Sequence, residues 1–209
     1  VKLNLQFATY AAKMRQHIID GTDLEVDARF VDMLAPRGST ILDIGCGHGS
    51  AVNGLRARGH AAFGIDPTPE VLNVAFDNFD SDWYRELGVE ELSPVRLAGL
   101  GILDTYDMVL IAGNVAAFLS GDALRRAFVQ VSALLKPGGT FVVGTSSQSR
   151  GGPQDQDDAG GATGLELMRR FSDWHLGHYS RDSAWSVSVY AAPGESPRPE
   201  SPDGMFILK

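Results

Sequence analysis

Gly45, Gly47 and Gly49 alternate through a five-residue loop, Asp43 stands just before them, and a second acid, Asp66, follows 23 positions after Asp43. Glycine takes positive φ without steric cost and lets a ligand approach the backbone. A chain that turns here from a strand into a helix presents the unpaired N–H groups and the positive dipole end of that helix. Such a terminus suits a carboxylate as well as a phosphate. In open parallel sheets, ligands lie at the carboxyl ends of the strands. An acid at the end of the second strand can accept hydrogen bonds from both hydroxyls of a ribose. A glycine loop alone says little. A glycine loop between a strand and a helix, with an acid at the next strand end, describes a site for a nucleoside-bearing cofactor.

The surrounding elements must place these residues. Thr40 to Ile44 is a short apolar run, read as a buried first strand. Ser50 to Arg58 reads as a helix closed by Gly59, and Ala61 to Asp66 as the second strand. Thr68 opens a further helix carrying Val71, Leu72 and Ala75. Strand, loop, helix and strand form a βαβ unit, which requires a parallel sheet and a right-handed crossover. A third strand is expected near Trp83 to Leu87, with Leu92 to Leu103 competing for that place. Asp107 to Gly113 is a clear strand, Ala123 to Leu135 a helix ended by Lys136-Pro137-Gly138-Gly139, and Thr140 to Thr145 the next strand.

Two helices precede this unit, over residues 4–20 and from Glu25 to Leu34. Residues 146–164 are rich in Ser, Gly, Asp and Gln and read as a long, mobile polar loop. Gly164 to Phe171 reads as a short helix. Trp174 to Tyr179 and Ala184 to Ala191 read as a hairpin around Ser180 to Ser183. A proline-rich tail runs from Pro193 to an apolar end, Met205-Phe206-Ile207-Leu208. The expected architecture is α/β: one doubly wound, mostly parallel sheet over residues 1–192, with an antiparallel C-terminal hairpin and N-terminal covering helices.

Composition narrows the function. The 209 residues suit one domain, and 44% hydrophobic residues supply a sizeable core. A formal net charge of −8 argues against a broad nucleic-acid surface. With one cysteine, Cys46, no intrachain disulfide forms, which fits a reducing cytoplasm. No apolar run approaches the roughly 20 residues of a membrane span, and residues 1–20 carry no signal-peptide core. No Cys/His cluster has metal-ligand spacing.

A nicotinamide dinucleotide is the first rival for the loop. Its fingerprint needs Gly or Ala at the sixth position of G-x-G-x-x-G, and here that position is Ser50. Asp43 is also well placed for the ammonium of an amino-acid cofactor. Ile41-Leu42-Asp43-Ile44-Gly45-Cys46-Gly47-His48-Gly49 resembles the first motif of the class I S-adenosylmethionine-dependent methyltransferases. Phe63-Gly64-Ile65-Asp66 is similar to their second-strand motif, and Tyr106 to Val115 to their fourth-strand motif. Leu134-Leu135-Lys136-Pro137-Gly138-Gly139-Thr140-Phe141 resembles their entry into strand five.

The resemblance implies a Rossmann-like fold, S-adenosylmethionine as cofactor and a small-molecule methyl acceptor. It implies that Asp43 and the backbone at Gly45, Cys46 and Gly47 hold the methionine end, that Asp66 binds the ribose and that Pro67 flanks the adenine. Gly113, Asn114 and Val115 would line the cofactor beside the transferring methyl. An acid after strand three that holds the adenine amine would be Glu86 or Glu91. The fourth-strand segment is not the Asn/Asp-Pro-Pro-aromatic type of many nucleobase-amine methylases. No catalytic base is assigned. A non-catalytic adenosylmethionine-binding protein and a nicotinamide-dependent oxidoreductase stand as the alternatives.

The remaining polar residues carry plainer expectations. Cys46 is read as a small buried residue. His48 is read as a loop side chain facing solvent, against a role as base. Asn114 either contacts the cofactor or caps the next helix. Tyr10 and His17 either face the pocket or pack. Arg29 either binds the cofactor carboxylate or pairs with Glu25 or Asp32. His175 and His178 are read as exposed edge positions.

Overall fold

The computed structural model describes residues 2–195, and the tail from 196 to 209, with its apolar end, lies outside the described residues. Seven strands form the sheet: β1 (Thr40–Ile44), β2 (Ala61–Asp66), β3 (Tyr84–Glu86), β4 (Tyr106–Ile111), β5 (Leu135–Ser146), β6 (Glu166–Phe171) and β7 (Trp185–Ala191). Their order is β3-β2-β1-β4-β5-β7-β6. The first five positions pair in parallel; β7 runs antiparallel to β5, and β6 antiparallel to β7. The order reverses direction between β1 and β4, and a crevice opens at the carboxyl ends there.

Side chains alternate across each strand, so the sheet buries two faces. On one, Leu42, Ile44, Val109, Ile111, Phe141 and Val143 pack against Leu124, Phe128 and Val131 of helix α7 (Gly121–Leu134). On the other, Ile41, Met108, Leu110 and Val142 pack beneath three helices. These are α2 (Val26–Leu34), α3 (Ser50–Ala57) and α4 (Pro69–Asn78). Asp43 and Asp66 alternate onto this second face, in step with Ile41 and Ala62. Helix α1 (Lys2–Ile19) crosses α4, burying Ala11 and Met14 against Val74, and Arg15 pairs with Asp77 at 3.0 Å.

The third strand lies within the expected stretch. The competing segment forms a short helix instead, α5 (Pro94–Gly99), started by Pro94 and by the Ser93 hydroxyl accepting the Arg96 N–H. Beyond β4, the four-residue helix α6 (Val115–Phe118) leads into α7.

The C-terminal third departs from its sequence pattern. Residues 146–164 are not a structureless polar loop: α8 (Pro153–Gly161) occupies the middle, with Pro153, Gln156, Ala159 and Gly160 buried. Gly160 explains how so polar a helix docks. A side chain there would crowd the Tyr190 ring, with an added Cβ only 3.3 Å away. Gly164 to Phe171 is not a helix but contains β6, because β7 exposes a free edge whose N–H and C=O groups need partners. Trp174 to Tyr179 is not a strand. The Asp173 carboxylate accepts the His175 and Gly177 N–H groups at 2.8 and 3.1 Å, and Leu176 takes φ +67, which winds the segment into a turn. The antiparallel pair is therefore β6 with β7, joined by a long connection.

One buried ionic cluster fastens this third. Arg170 of β6 gives two hydrogen bonds to Asp157 of α8, at 2.7 and 3.0 Å, and Tyr190 of β7 donates to the same carboxylate at 2.8 Å. Removing the acid strands a guanidinium whose side chain is only 11% exposed. Asp157 is itself 39% exposed, so water softens the loss. Asp157→Ala is expected to cost about 1–3 kcal/mol, read as a lower urea midpoint at unchanged m-value. An unaltered midpoint would show that α8 is held by its apolar face alone.

Candidate cofactor site

The turn out of β1 is built on the end of β2. Gly45 and Cys46 donate their N–H groups to the Ile65 carbonyl at 2.7 and 3.0 Å. Gly47 donates to Asp66 Oδ2 at 3.0 Å, and Thr68 to Asp66 Oδ1 at 2.8 Å. The three loop N–H groups that would cradle a phosphate are thus already engaged. Acceptors, not donors, are what this part of the loop offers. Positive φ at Gly45 (+78), Gly47 (+53) and Gly49 (+83) makes the path possible. Close approach matters too. A Cβ on Gly45 would lie 2.6 Å from a Val115 methyl, so the start of α6 sits directly on the loop. Cys46 is buried against Gly64, and its burial, with Asp43 and Asp66 nearby, holds the thiol well above its ordinary pKa. It is a packing residue, as read.

Asp43 is 2% exposed, and its Oδ1 is buried with no hydrogen-bond partner. Burial first, then the charges of Asp27 and Asp66, raise its pKa well above the carboxylate range. Burial also raises Asp66, against the pull of the Thr68 and Gly47 N–H groups. Asp27, on α2, is lifted to about 6, again chiefly by burial. Among the described residues no Lys, Arg or His forms an ion pair with any of these three acids.

Arg29 pairs with neither Glu25 nor Asp32. Its guanidinium takes both oxygens of Asp23 at 2.8 Å, while Glu25 pairs with Arg58 and Asp32 with Arg37 and His60. Asp23 is three residues before α2, nearer in space than the helix spacing suggested.

His48 corrects a second expectation. Both ring nitrogens are buried and unpartnered, and the ring lies edge-on to Tyr10 of α1, with centroids 6.4 Å apart. Burial, then the His17 charge, lowers its pKa to about 4. Burial, then Asp66 and Asp27, raises the Tyr10 phenol. Helix α1 therefore lies over the loop, which no local pattern around His48 could reveal.

The remaining predicted residues fall at the same edge. Gly113, with φ +61 and open space where a Cβ would stand, follows β4. Asn114, with φ +68, does not cap α6. Its Oδ1 accepts from the Thr145 hydroxyl and the Ser146 N–H at 2.8 and 2.9 Å, bolting the end of β4 to the end of β5. Pro67 is exposed beside Gly88, after β3. Glu86 is in register with Asp66, whereas Glu91 reaches Arg96 at 3.7 Å. His175 and His178 are exposed on the connection between β6 and β7.

A switch-point crevice with a glycine turn, a ribose-height acid and an orphaned buried carboxylate defines a nucleoside-cofactor protein of the doubly wound class. Comparison sharpens this. A family model described as a methyltransferase domain matches residues 41–139. A TehB-like S-adenosylmethionine-dependent methyltransferase from Corynebacterium glutamicum is 27% identical, covering 90% of this chain and 98% of that one, with a TM-score of 0.76. The N-methyltransferase NodS from Bradyrhizobium japonicum, in complex with S-adenosyl-L-homocysteine, shares the fold: 17% identity, 80% and 84% coverage, TM-score 0.61. A ubiquinone biosynthesis O-methyltransferase from Acinetobacter baylyi is 26% identical over 117 residues, 54% of this chain but only 45% of that relative's length. Residues 41–139 match a methyltransferase domain, and these likenesses are consistent with the class I S-adenosylmethionine-dependent methyltransferase family. The residues present fit that cofactor: an orphaned acid suits an ammonium, and Gly113 leaves open space at the end of β4.

His48 supplies a pH test. Its folded pKa of about 4 lies below the ordinary 6.5, so its contribution to stability is fully present above pH 6.5 and is lost as pH falls through 4. Between pH 7 and 4, the wild type should lose up to about 3 kcal/mol more stability than His48→Gln. The raised acids act in the opposite sense but equally in both proteins. Parallel pH–stability curves would show that the ring is solvated.

Proposed function

We propose that this methyltransferase transfers the methyl group of S-adenosylmethionine to a small-molecule acceptor. The observation that carries the cofactor assignment is the buried, unpartnered Asp43 oxygen at the glycine turn. The bound cofactor supplies an activated methyl on a sulfonium, and the protein's part is alignment and exclusion of water. Asp43 and the carbonyls around Gly45, Cys46 and Gly47 take the ammonium. Asp66 accepts the Gly47 N–H of the loop on one oxygen and Thr68, just before α4, on the other, and its remaining lone pairs take the ribose hydroxyls. Pro67 flanks the adenine. Gly113 and Val115 border the methyl, and Asn114 positions them through β5 rather than by touching the cofactor. The engaged N–H groups of Gly45, Cys46 and Gly47 count against a dinucleotide pyrophosphate, which would need them free.

A small acceptor is supported by the acidic net charge and by the crevice's neighbours. Beyond β4, α6 exposes Phe118, and the segment after β5 packs on it: Arg150 donates to the Ala117 and Phe118 carbonyls at 3.2 and 3.3 Å. We place the acceptor between this segment and α1. The Acinetobacter relative is named for ubiquinone biosynthesis, which is at least a small-molecule setting.

Calorimetry should show S-adenosylhomocysteine binding and no NAD binding; the reverse overturns the assignment. Labelled S-adenosylmethionine with a metabolite panel should then show turnover, and tight binding without turnover on any acceptor favours a binding protein. Asp66→Ala removes the ribose acceptors, a loss of about 1.5–3 kcal/mol, so affinity for S-adenosylhomocysteine should fall by roughly tenfold or more. It also strands the Gly47 and Thr68 N–H groups, so the melting temperature should drop as well.

A further inference from the structure

Asp27 is a part-buried acid that no step above uses. It stands in the first turn of α2, and its Oδ1 accepts the Ala28 N–H at 2.8 Å. No donor side chain among the described residues bonds to it. The helix is held hard against α3 at this point. A Cβ on Gly54 would lie 2.9 Å from the Glu25 carboxyl and 3.1 Å from Ala28, the two residues that bracket Val26 and Asp27. That seat puts the start of α2 over the sheet face that carries Asp43 and Asp66. Asp27 and Asp66 each act electrostatically on both Asp43 and Tyr10.

Burying unpaired acids together is costly, and such charges are ordinarily paired. Here Arg29, the nearest cation to Asp27, is taken by both oxygens of Asp23. The independent sign that a ligand completes the group is Asp43: nine-tenths and more buried, with an oxygen that nothing in the protein satisfies. A cationic ligand with several N–H donors would satisfy it, and an anion would not.

We propose that Asp27 is a second ammonium-binding residue, closing with Asp43 on the α-amino group of the cofactor from the covering helix. This rests on the methyltransferase reading above. It gives α2 a part in cofactor recognition: the cofactor's amino end is read from two sides, by the sheet through Asp43 and by the N-terminal helices through Asp27. Cofactor-sized ligands that lack an amine should be rejected, because they leave these acids without a counter-charge.

The test is Asp27→Asn, which keeps the acceptor for the Ala28 N–H and the side-chain volume. Two ligands are titrated calorimetrically into the wild type and the variant: S-adenosylhomocysteine, and its deamino analogue with hydrogen in place of the amine. The expected result is a loss of about tenfold for S-adenosylhomocysteine with little or no loss for the analogue. Equal losses for both ligands would overturn the proposal and make Asp27 a structural residue. Unchanged affinity for both would overturn it as well, leaving Asp43 as the acid for the amine. If the wild type binds neither ligand, the methyltransferase reading itself fails. Thermal melts of both proteins without ligand separate misfolding from lost recognition: the variant should melt no lower than the wild type at neutral pH, since it removes a part-buried charge. Should it melt lower, Asp27→Glu provides the second variant. It is expected to keep the preference for the amine over the analogue, and losing that preference would overturn the proposal.

Discussion

The Ile65 carbonyl and the Asp66 carboxylate, at the end of β2, hold the whole turn that leaves β1. Three consecutive loop N–H groups, those of Gly45, Cys46 and Gly47, converge on them. Parallel pairing sets this up, because Ile44 lies opposite Ile65 and the two strands end together. Without those acceptors the loop would face water with unsatisfied donors, and α3 would lose its fixed start. With them, the loop turns its acceptors and the buried Asp43 toward the crevice. The polarity of the turn follows from this bracing: N–H groups that in another protein could cradle a phosphate are here engaged within the chain.

The cost of that arrangement is visible in the acids. Asp27, Asp43 and Asp66 are all pushed upward, chiefly by burial, and among the described residues none of them is in an ion pair. Elsewhere the protein pairs its partly buried acids carefully. Asp107 takes Lys136 at 2.9 Å and the Thr40 N–H and hydroxyl at 2.7 Å, at the opposite end of the sheet. Asp157 takes Arg170 and Tyr190. Both stay below the ordinary range. The contrast separates acids that hold the fold together through ion pairs from acids left without one, and unpaired charge of the second kind is the usual trade of stability for function.

Helix α1 joins the two. It is anchored on α4 by Ala11, Met14 and the Arg15–Asp77 pair, and it carries Tyr10 onto His48 and within reach of Asp66 and Asp27. On the other side of the crevice, Asn114 ties β4 to β5, and Gly151 lies so close to the Ala116 carbonyl that no side chain would fit. The β1 turn is thus covered by α1, and the end of β4 is braced by β5 and the segment after it.

The local chain determined a good deal here. Apolar runs of five or six residues separated by amphipathic stretches specify β1, β2 and β4 and the helices between them, because period and burial agree over that stretch. The glycine spacing with Asp43 and Asp66 marks the cofactor edge, since only glycine takes those φ values freely. Tertiary structure alone decided the rest. Residues 166–171 are good helix formers, yet the open edge of β7 makes them a strand. Residues 153–161 look like a solvated loop, yet Arg170 and a glycine-sized gap beside Tyr190 dock them as a helix. His48 reads as exposed until α1 covers it, and Asp27 reads as one more polar position on an amphipathic helix until α2 seats on Gly54 and its charge acts on Asp43. In each case the deciding partner lies far along the chain, and no local pattern encodes a partner that only packing brings near.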